Sequence, residues 1–346
     1  MTGKKNILIR APNWLGDNVL CLPAVTALRS AMPDAHLAVL VKKSMAGLWE
    51  MTVVEEVIPF TCANGPKGLI DRVKIARELK KHDFDTALIF PNSFDSALVP
   101  WLARIPRRIG WPTQGRKLLL NNRVVYPHHL DDRQQWERDV FLVTEGLGCS
   151  VAVEGSARLT VPIDTQMKIA AVSASRQKPI IALNPGATYG PAKCWLQERY
   201  AEVALKIDAE LNGSVILVGG PGDVQVCEQI YSMIAEREKT AKRWCLNLAG
   251  KTTVTELAGW LEQCACMVTN DTGGMHVSAA VETPVVAIFG PTNWKRTAPL
   301  GEGHQLIKAT VDCERRCKRT CVADHRCMKS VTVDMVMEAV EKAVNS

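Results

Sequence analysis

Asn13-Trp14-Leu15-Gly16-Asp17 places one carboxylate just after an apolar run, beside a glycine that permits a tight turn or a close approach to a ligand. Asp17 admits two readings. As a helix N-cap it would accept a bond from a free backbone N–H. As a general base it would take a proton from an acceptor hydroxyl. The loop has no G-x-G-x-x-G fingerprint, which an ordinary dinucleotide enzyme would carry here.

Two further loops suit phosphate. Asn184-Pro185-Gly186-Ala187-Thr188 runs through Gly190 to Lys193-Cys194-Trp195. Small residues and hydroxyls let backbone N–H groups approach a ligand, and Lys193 then offers a cation to phosphate. The alternative is a surface lysine in a glycine-rich turn. Thr269-Asn270-Asp271-Thr272-Gly273-Gly274-Met275-His276 joins an expected strand to an expected helix. The free N–H groups of a helix start, with its partial positive end, suit a diphosphate. Thr272 adds a hydroxyl donor, and the glycines admit phosphate oxygens. His276, about one turn into the helix, either reaches the same anion or is structural, and Asp271 can act as a cap. Gly290-Pro291-Thr292-Asn293 is another polar loop at that sheet edge. Together the loops describe a split site, with a phosphorylated donor on one domain and an acceptor with its base on the other.

Asp83-Phe84-Asp85 has the D-x-D spacing of metal-dependent sugar transferases, but it precedes an apolar strand and so falls at the edge opposite the expected site. We read it as structural. Cys313, Cys317, Cys321 and Cys327 follow a C-x3-C-x3-C-x5-C spacing with His325 beside them. No C-x2-C clasp occurs, so free thiols are expected rather than zinc or disulfides. Arg315, Arg316, Lys318 and Arg319 among them would lower thiol pKa values. The other eight cysteines read as small buried hydrophobes of a reducing compartment.

The elements that must position these loops alternate in type. Strand-like runs at 6–11, 36–41, 56–60, 86–90 and 123–126 are interleaved with helical patterns such as 19–31 and 69–81. The pattern restarts with strands at 180–184, 214–219, 245–248, 266–270 and 284–289. Helices at 199–211, 223–237, 254–263 and 274–281 lie between them. Such alternation gives parallel sheets with crossover helices, here an α/β chain of two Rossmann-like domains. The expected division is 1–165 for the first domain, 166–178 for a linker, 179–330 for the second domain and 331–346 for a C-terminal amphipathic helix. Ligands of such sheets bind beyond the carboxyl ends of the strands, which is where the three loops fall.

A chain of 346 residues with 42 basic and 36 acidic side chains and 47% hydrophobic residues is an ordinary globular protein. This excludes disorder, a collagen-like chain and a charged tail. No long apolar stretch free of charge suggests a membrane span. Arg10 and Asp17 interrupt what would be a signal peptide, so the expected location is the cytoplasm. Residues 1–160 carry a charge of +5 and residues 161–346 a charge of +1. No acid occurs between Asp95 and Asp131, whereas Arg104, Arg107, Arg108, Arg116, Lys117 and Arg123 do. Such a stretch is either a solvated face or a site for an anionic partner.

The run Ile7-Leu8-Ile9-Arg10-Ala11-Pro12-Asn13-Trp14-Leu15-Gly16-Asp17, followed by Leu22-Pro23, resembles the opening of ADP-heptose:lipopolysaccharide heptosyltransferases, glycosyltransferase family 9. Its Asn13-Trp14 variant is most like the type II members. The segments Asn184-Pro185-Gly186 to Lys193-x-Trp195, Asp271-Thr272-Gly273 to His276, Arg107-Arg108-Ile109-Gly110 and the tail ending His325-Arg326-Cys327-Met328 match in order and spacing, over nearly the whole chain. Cys194 stands where an Arg or His is common.

The resemblance implies a GT-B architecture, two Rossmann-like domains facing a central cleft, and an inverting enzyme that needs no catalytic metal and no cofactor. It implies that Asp17 is the general base. Lys193 and the Thr272-Gly273 turn would bind the donor diphosphate, with Thr188, Asp271 and His276 in the same site and Asp223 as an acidic ribose contact. The donor would be ADP-heptose and the acceptor the heptose of the lipopolysaccharide inner core on Kdo-lipid A. Arg107 and Arg108 would meet the acceptor's carboxylates and phosphates. Peripheral contact with the inner membrane surface follows from a membrane-embedded acceptor, and no nucleic acid is expected. The rival readings are heptosyltransferase I or III acting on another core hydroxyl, a non-catalytic nucleotide-sugar-binding protein, and an epimerase, which would need the missing nicotinamide fingerprint.

Overall fold

A computed structural model of the chain describes residues 5–63, 66–150, 153, 155–309, 311 and 319–345. It divides into two compact units, Met1–Ser156 and Ala157–Ser346. Each unit is built on one six-stranded sheet in which every pairing is parallel.

In the first unit the strands are β1 (Asn6–Arg10), β2 (His36–Lys42), β3 (Glu56–Phe60), β4 (Thr86–Ile89), β5 (Arg107–Gly110) and β6 (Asn122–Arg123), in the order β3-β2-β1-β4-β5-β6. In the second unit they are β7 (Ile180–Asn184), β8 (Ser214–Leu217), β9 (Cys245–Asn247), β10 (Cys266–Asn270), β11 (Val285–Phe289) and β12 (Gln305–Lys308), in the order β12-β11-β10-β7-β8-β9. Both are the doubly wound order, which reverses at one point of the sheet. The central strands β1, β2, β4, β7, β10 and β11 are buried almost throughout. That is why they read as near-continuous apolar runs rather than as alternating ones.

The observed elements depart from the expected ones in a few places. The helix expected at 19–31 is two helices, Leu15–Leu20 and Leu22–Ala31, that meet at Cys21. Pro23 stands in the first turn of the second, where a missing N–H is tolerated. β5 and β12 were not expected. Arg107 and Arg108 disguise the first, because only Ile109 and Gly110 of that strand are fully buried. β6 stops at Arg123, where extension to Tyr126 is expected from the sequence.

The C-terminal helix Val333–Asn345 belongs to the core of the second unit. Val333, Val336, Met337, Val340 and Ala343 recur at helical spacing and are buried. They pack against the helix Gln197–Leu211 and strands β10, β11 and β12. Each fully buried Val or Met side chain stabilises by about 1.5–3 kcal/mol, so this helix is a structural part of the second unit. The helix Ile163–Ser173 packs on Val254–Glu262 within the same unit. Of the scattered cysteines, Cys21, Cys227, Cys245, Cys264 and Cys266 are buried, while Cys62, Cys149 and Cys194 are partly exposed.

Candidate functional site

In the first unit the strand order reverses between β1 and β4, and the loop leaving the carboxyl end of β1 borders that switch point. This is the loop of Asp17. Asn18 fixes its shape. The Asn18 Nδ2 donates to the carbonyls of Pro12 at 3.1 Å and Trp14 at 2.6 Å, and its Oδ1 accepts from Trp49 Nε1 at 2.8 Å. Arg10, buried at the end of β1, donates to the Ala11 carbonyl and to Asn13 Oδ1, and its guanidinium lies 4.8 Å from the centre of the Phe60 ring. Burial lowers its pKa to about 10, and Asp95 opposes that shift.

Trp14 is the N-cap of the helix Leu15–Leu20, so Asp17 is its third residue. This corrects the capping alternative for Asp17. Trp14 has the extended backbone that the cap position requires, and the Asp17 carboxylate stands in the first turn, where the helix dipole favours negative charge. Asp17 Oδ1 accepts from Gln135 Nε2 at 3.2 Å. Gln135 opens the helix Gln135–Leu147, and one turn on, at the same face, Asp139 is buried with no partner for its Oδ2. Burial, and then the negative charge of Asp17, hold the Asp139 carboxyl well above the usual carboxylate range. Neither Gln135 nor Asp139 stands out in the sequence, because their connection to Asp17 spans more than a hundred residues.

Arg107 and Arg108 are not brought to this edge. Arg107 pairs level with Thr86, which is level with Ile7, at the amino end of the sheet. The Asp17 loop leaves β1 after Arg10, three residues or about 10 Å further along. Their guanidinium groups donate to main-chain carbonyls: Arg107 Nη2 to Gly146 at 2.5 Å, and Arg108 Nε to Leu119 at 2.7 Å and Nη1 to Ile105 at 2.5 Å. Asp85 is at the same end, where its carboxylate accepts from the Asn6 N–H at 2.7 Å and the Thr86 hydroxyl at 2.7 Å.

In the second unit the reversal lies between β7 and β10, and the two phosphate-suited loops leave those strands. The structure joins them. Lys193 Nζ lies 2.8 Å from Asp271 Oδ2, with the two side chains 17% and 6% exposed. Asn270 ties the same loops through the backbone. Its Nδ2 donates to the carbonyls of Pro185 at 2.7 Å and Gly186 at 3.3 Å, and its Oδ1 accepts from the Trp195 N–H at 2.9 Å and the Tyr200 hydroxyl at 3.1 Å. Asn270 thus sets the distance between Lys193 and the helix Gly273–Ala280. Its part was not legible in the sequence, where it reads as one more polar loop residue.

Thr272 is the N-cap of that helix but makes no side-chain cap bond, and Gly273 is its first residue. The N–H groups of this helix start and the Thr272 hydroxyl are therefore available to an anion. Gly274 is required by packing, since a Cβ there would fall 2.4 Å from Asn184 Nδ2. His276 is buried with no partner for its Nδ1. Desolvation lowers its pKa to about 4, against a smaller opposing effect of Asp271, so it is a neutral imidazole at physiological pH. Asn184 Oδ1, at the carboxyl end of β7, and Thr292 Oγ1, in the loop after β11, are also buried without partners. Buried orphan polar atoms gathered at one sheet edge suit a polar ligand.

Asp223 belongs to the same edge. Its Oδ2 accepts from the Gly220 N–H at 2.9 Å, and a Cβ on Gly186 would fall 2.0 Å from its Oδ1. Burial raises its pKa. Thr188 is exposed in the loop after β7, and its neighbour Tyr189 has its ring centre 5.3 Å from Lys193 Nζ. Burial pushes the Cys194 thiol up to about 11. The tail packs on this loop as well: the Ala192 N–H donates to the Arg319 carbonyl at 3.2 Å, and His325 Nε2 lies 3.2 Å from the Ala192 carbonyl. Cys313 and Cys317, with Arg315, Arg316 and Lys318, lie outside the described residues. Among the described residues no group of three His, Cys, Asp or Glu side chains could hold a metal ion.

The chain is similar to several proteins of known class. It is 30% identical to lipopolysaccharide heptosyltransferase 2 of Salmonella typhimurium over 96% of each chain, and 32% identical to the Escherichia coli protein of the same name over 87% of each. The solved structure of E. coli ADP-heptose LPS heptosyltransferase II superposes with a TM-score of 0.84, at 28% identity and over 98% of each chain. The two doubly wound units are accordingly those of a GT-B architecture. The model of glycosyltransferase family 9 (heptosyltransferase) matches residues 72–326, and the chain belongs to that family.

Proposed function

We propose that the protein is an inverting heptosyltransferase that moves L-glycero-D-manno-heptose from ADP-heptose to the heptose of the lipopolysaccharide inner core. Family membership and the likeness to type II heptosyltransferases support the class of reaction, donor and acceptor. The observation that carries the donor side is the joining of Lys193 and Asp271 beside the open start of the helix Gly273–Ala280.

The chemistry assigned to these residues is a single displacement. The acceptor oxygen attacks the anomeric carbon from the face opposite ADP, and the bond from that carbon to the diphosphate oxygen breaks. Asp17 takes the hydroxyl proton as the new bond forms, and Gln135 holds its carboxylate. The electron pair leaves on the diphosphate, whose charge is met by Lys193, the Thr272 hydroxyl and the N–H groups that begin at Gly273. Asp271 keeps Lys193 in place before the donor arrives. Neutral His276 supplies a hydrogen bond in the same pocket rather than a second cation, Asp223 contacts the ribose, and Thr188 binds the donor beside Lys193. Arg107 and Arg108, nearer the amino end of the sheet, would meet carboxylates and phosphates of the acceptor away from the hydroxyl that reacts.

No described helix is long and apolar enough to cross a membrane. We place the protein in the cytoplasm, with peripheral attachment to the inner membrane surface that holds its acceptor. A thermal-shift panel of ADP, UDP, GDP and NAD tests the donor reading. Ligand at about 100 times its Kd stabilises by about 2.7 kcal/mol. Selective stabilisation by ADP is expected, and stabilisation by NAD alone would overturn it.

A further inference from the structure

The first unit contains a concave site away from the Asp17 loop. A cavity of about 570 Å³ is bounded by the helices Pro66–Leu79 and Phe94–Leu102 and the start of β5. Its charged lining residues are Arg77, Lys80, Arg104 and Arg108, with Val73 and Trp101 beside them, and no carboxylate lines it. None of the four cations is in an ion pair with a described residue. The nearest acid in sequence, Glu78, is held by Lys81 at 2.6 Å. Four unneutralised cations around one cavity repel one another and create a positive potential that an anion would relieve. Arg104 is also held at φ 60°, a left-handed conformation that glycine or asparagine adopts more readily. The fold keeps an arginine there despite the strain.

Exposed apolar side chains on the same two helices point to the source of the anion. Leu69 and Ile70 are 57% and 58% exposed on the helix Pro66–Leu79, and Trp101 is 44% exposed. Leu69, Val73, Ala76 and Lys80 follow the spacing of a single helical face. The helical face that carries Lys80 into the cavity therefore also carries the exposed Leu69, and Trp101 stands among the cations. A free anion needs only the cations, whereas a lipid headgroup layer also takes up the apolar side chains, and Trp prefers that boundary.

We propose that this face seats the protein on an anionic lipid surface, with a headgroup phosphate held in the cavity by Arg77, Lys80 and Arg104. The choice of a lipid rests in part on the lipid-borne acceptor of the proposed function, while the anion site itself does not.

Co-sedimentation of the full chain with vesicles tests this, comparing phosphatidylcholine alone with mixtures containing phosphatidylglycerol. The native protein should partition onto the anionic vesicles, less so as salt rises. Arg77→Gln/Lys80→Gln should weaken partitioning about thirtyfold, at roughly a factor of five per basic residue. Trp101→Ala should weaken what binding persists at high salt. Each variant should keep the native ADP-induced thermal shift and native turnover on an acceptor lacking acyl chains, which separates this surface from misfolding and from any failure of the transferase reading. Native-like partitioning of Arg77→Gln/Lys80→Gln, or no vesicle binding by the native protein, would overturn the proposal. So would binding of inorganic phosphate through Arg77 and Lys80 without vesicle binding, which would make the cavity a soluble-anion site.

Discussion

Lys193 and Asp271, 78 residues apart, meet at 2.8 Å where the strand order of the second unit reverses. The pair places a cation beside the start of the helix Gly273–Ala280 and holds it there through a nearly buried carboxylate. A lysine on a glycine-rich loop would otherwise lose rotamer freedom when a donor binds. Pre-positioning by Asp271 reduces that cost.

Lys193→Ala should therefore have two effects. ADP binding should weaken by about 1.5–3 kcal/mol, the usual contribution of a charge-assisted hydrogen bond, and turnover should fall with it. Thermal stability should also drop, because Asp271 is left buried without its cation. Calorimetric titration with ADP measures the first effect and thermal melting the second. Native ADP affinity in the folded variant would place Lys193 outside the donor site.

His276 gives the fold a pH dependence of defined sign. Its folded pKa of about 4 lies below the unfolded value of 6.5, because burial disfavours the imidazolium. The stability it contributes is fully present above about pH 6.5 and is lost as pH falls toward about 4. The span of about 2.5 pKa units corresponds to about 3 kcal/mol. Denaturant unfolding of native protein and His276→Asn across that window should show the native protein losing stability relative to the variant as pH falls. Parallel curves would show that His276 does not titrate as a buried neutral group.

Asp139 has the opposite sign. Its folded pKa is raised by burial and by Asp17, so any favourable contribution is present below the unfolded value and is lost as pH rises. Asp139→Asn removes the acid while keeping the shape. Relative to the native protein, the variant should gain stability from about pH 4 upward. Equal stability of the two proteins at about pH 4 and about pH 8 would contradict the account.

Asp17→Asn separates a base from a structural residue. Asp17 is not the N-cap, so the loss of its first-turn charge should cost about 0.3–1 kcal/mol, offset in part because its repulsion of Asp139 is removed. ADP affinity should hold, because the donor residues are on the other unit. General-base catalysis is typically worth ~10²–10⁴-fold, and kcat should fall by about that factor. A folded Asp17→Asn protein with native kcat would remove Asp17 from the mechanism.

The strands and the three loops were legible because the parallel sheet imposes a local pattern, apolar runs that end in Gly, Asn and Thr. β7 and β10 keep their expected bounds for that reason. What was not legible depends on contacts between distant residues. Asn270 acquires its role only when Pro185, Trp195 and Tyr200 fold around it. Gln135 and Asp139 matter only because their helix packs on Leu22–Ala31, beside the Asp17 loop. For Arg107 and Arg108, charge spacing does not reveal which end of a short strand they occupy. The same blindness hid the convergence of Arg77 and Lys80 on Arg104, which come from separate elements.

The central claim is transfer of a heptosyl residue from ADP-heptose to a heptose of the inner core. Its most direct test is mass spectrometry of a Kdo-lipid A acceptor bearing one heptose, incubated with the full chain and ADP-heptose. The acceptor should gain the mass of one heptosyl residue for each ADP released. Release of ADP with no gain by the acceptor, or no reaction while ADP-heptose is bound, would contradict it.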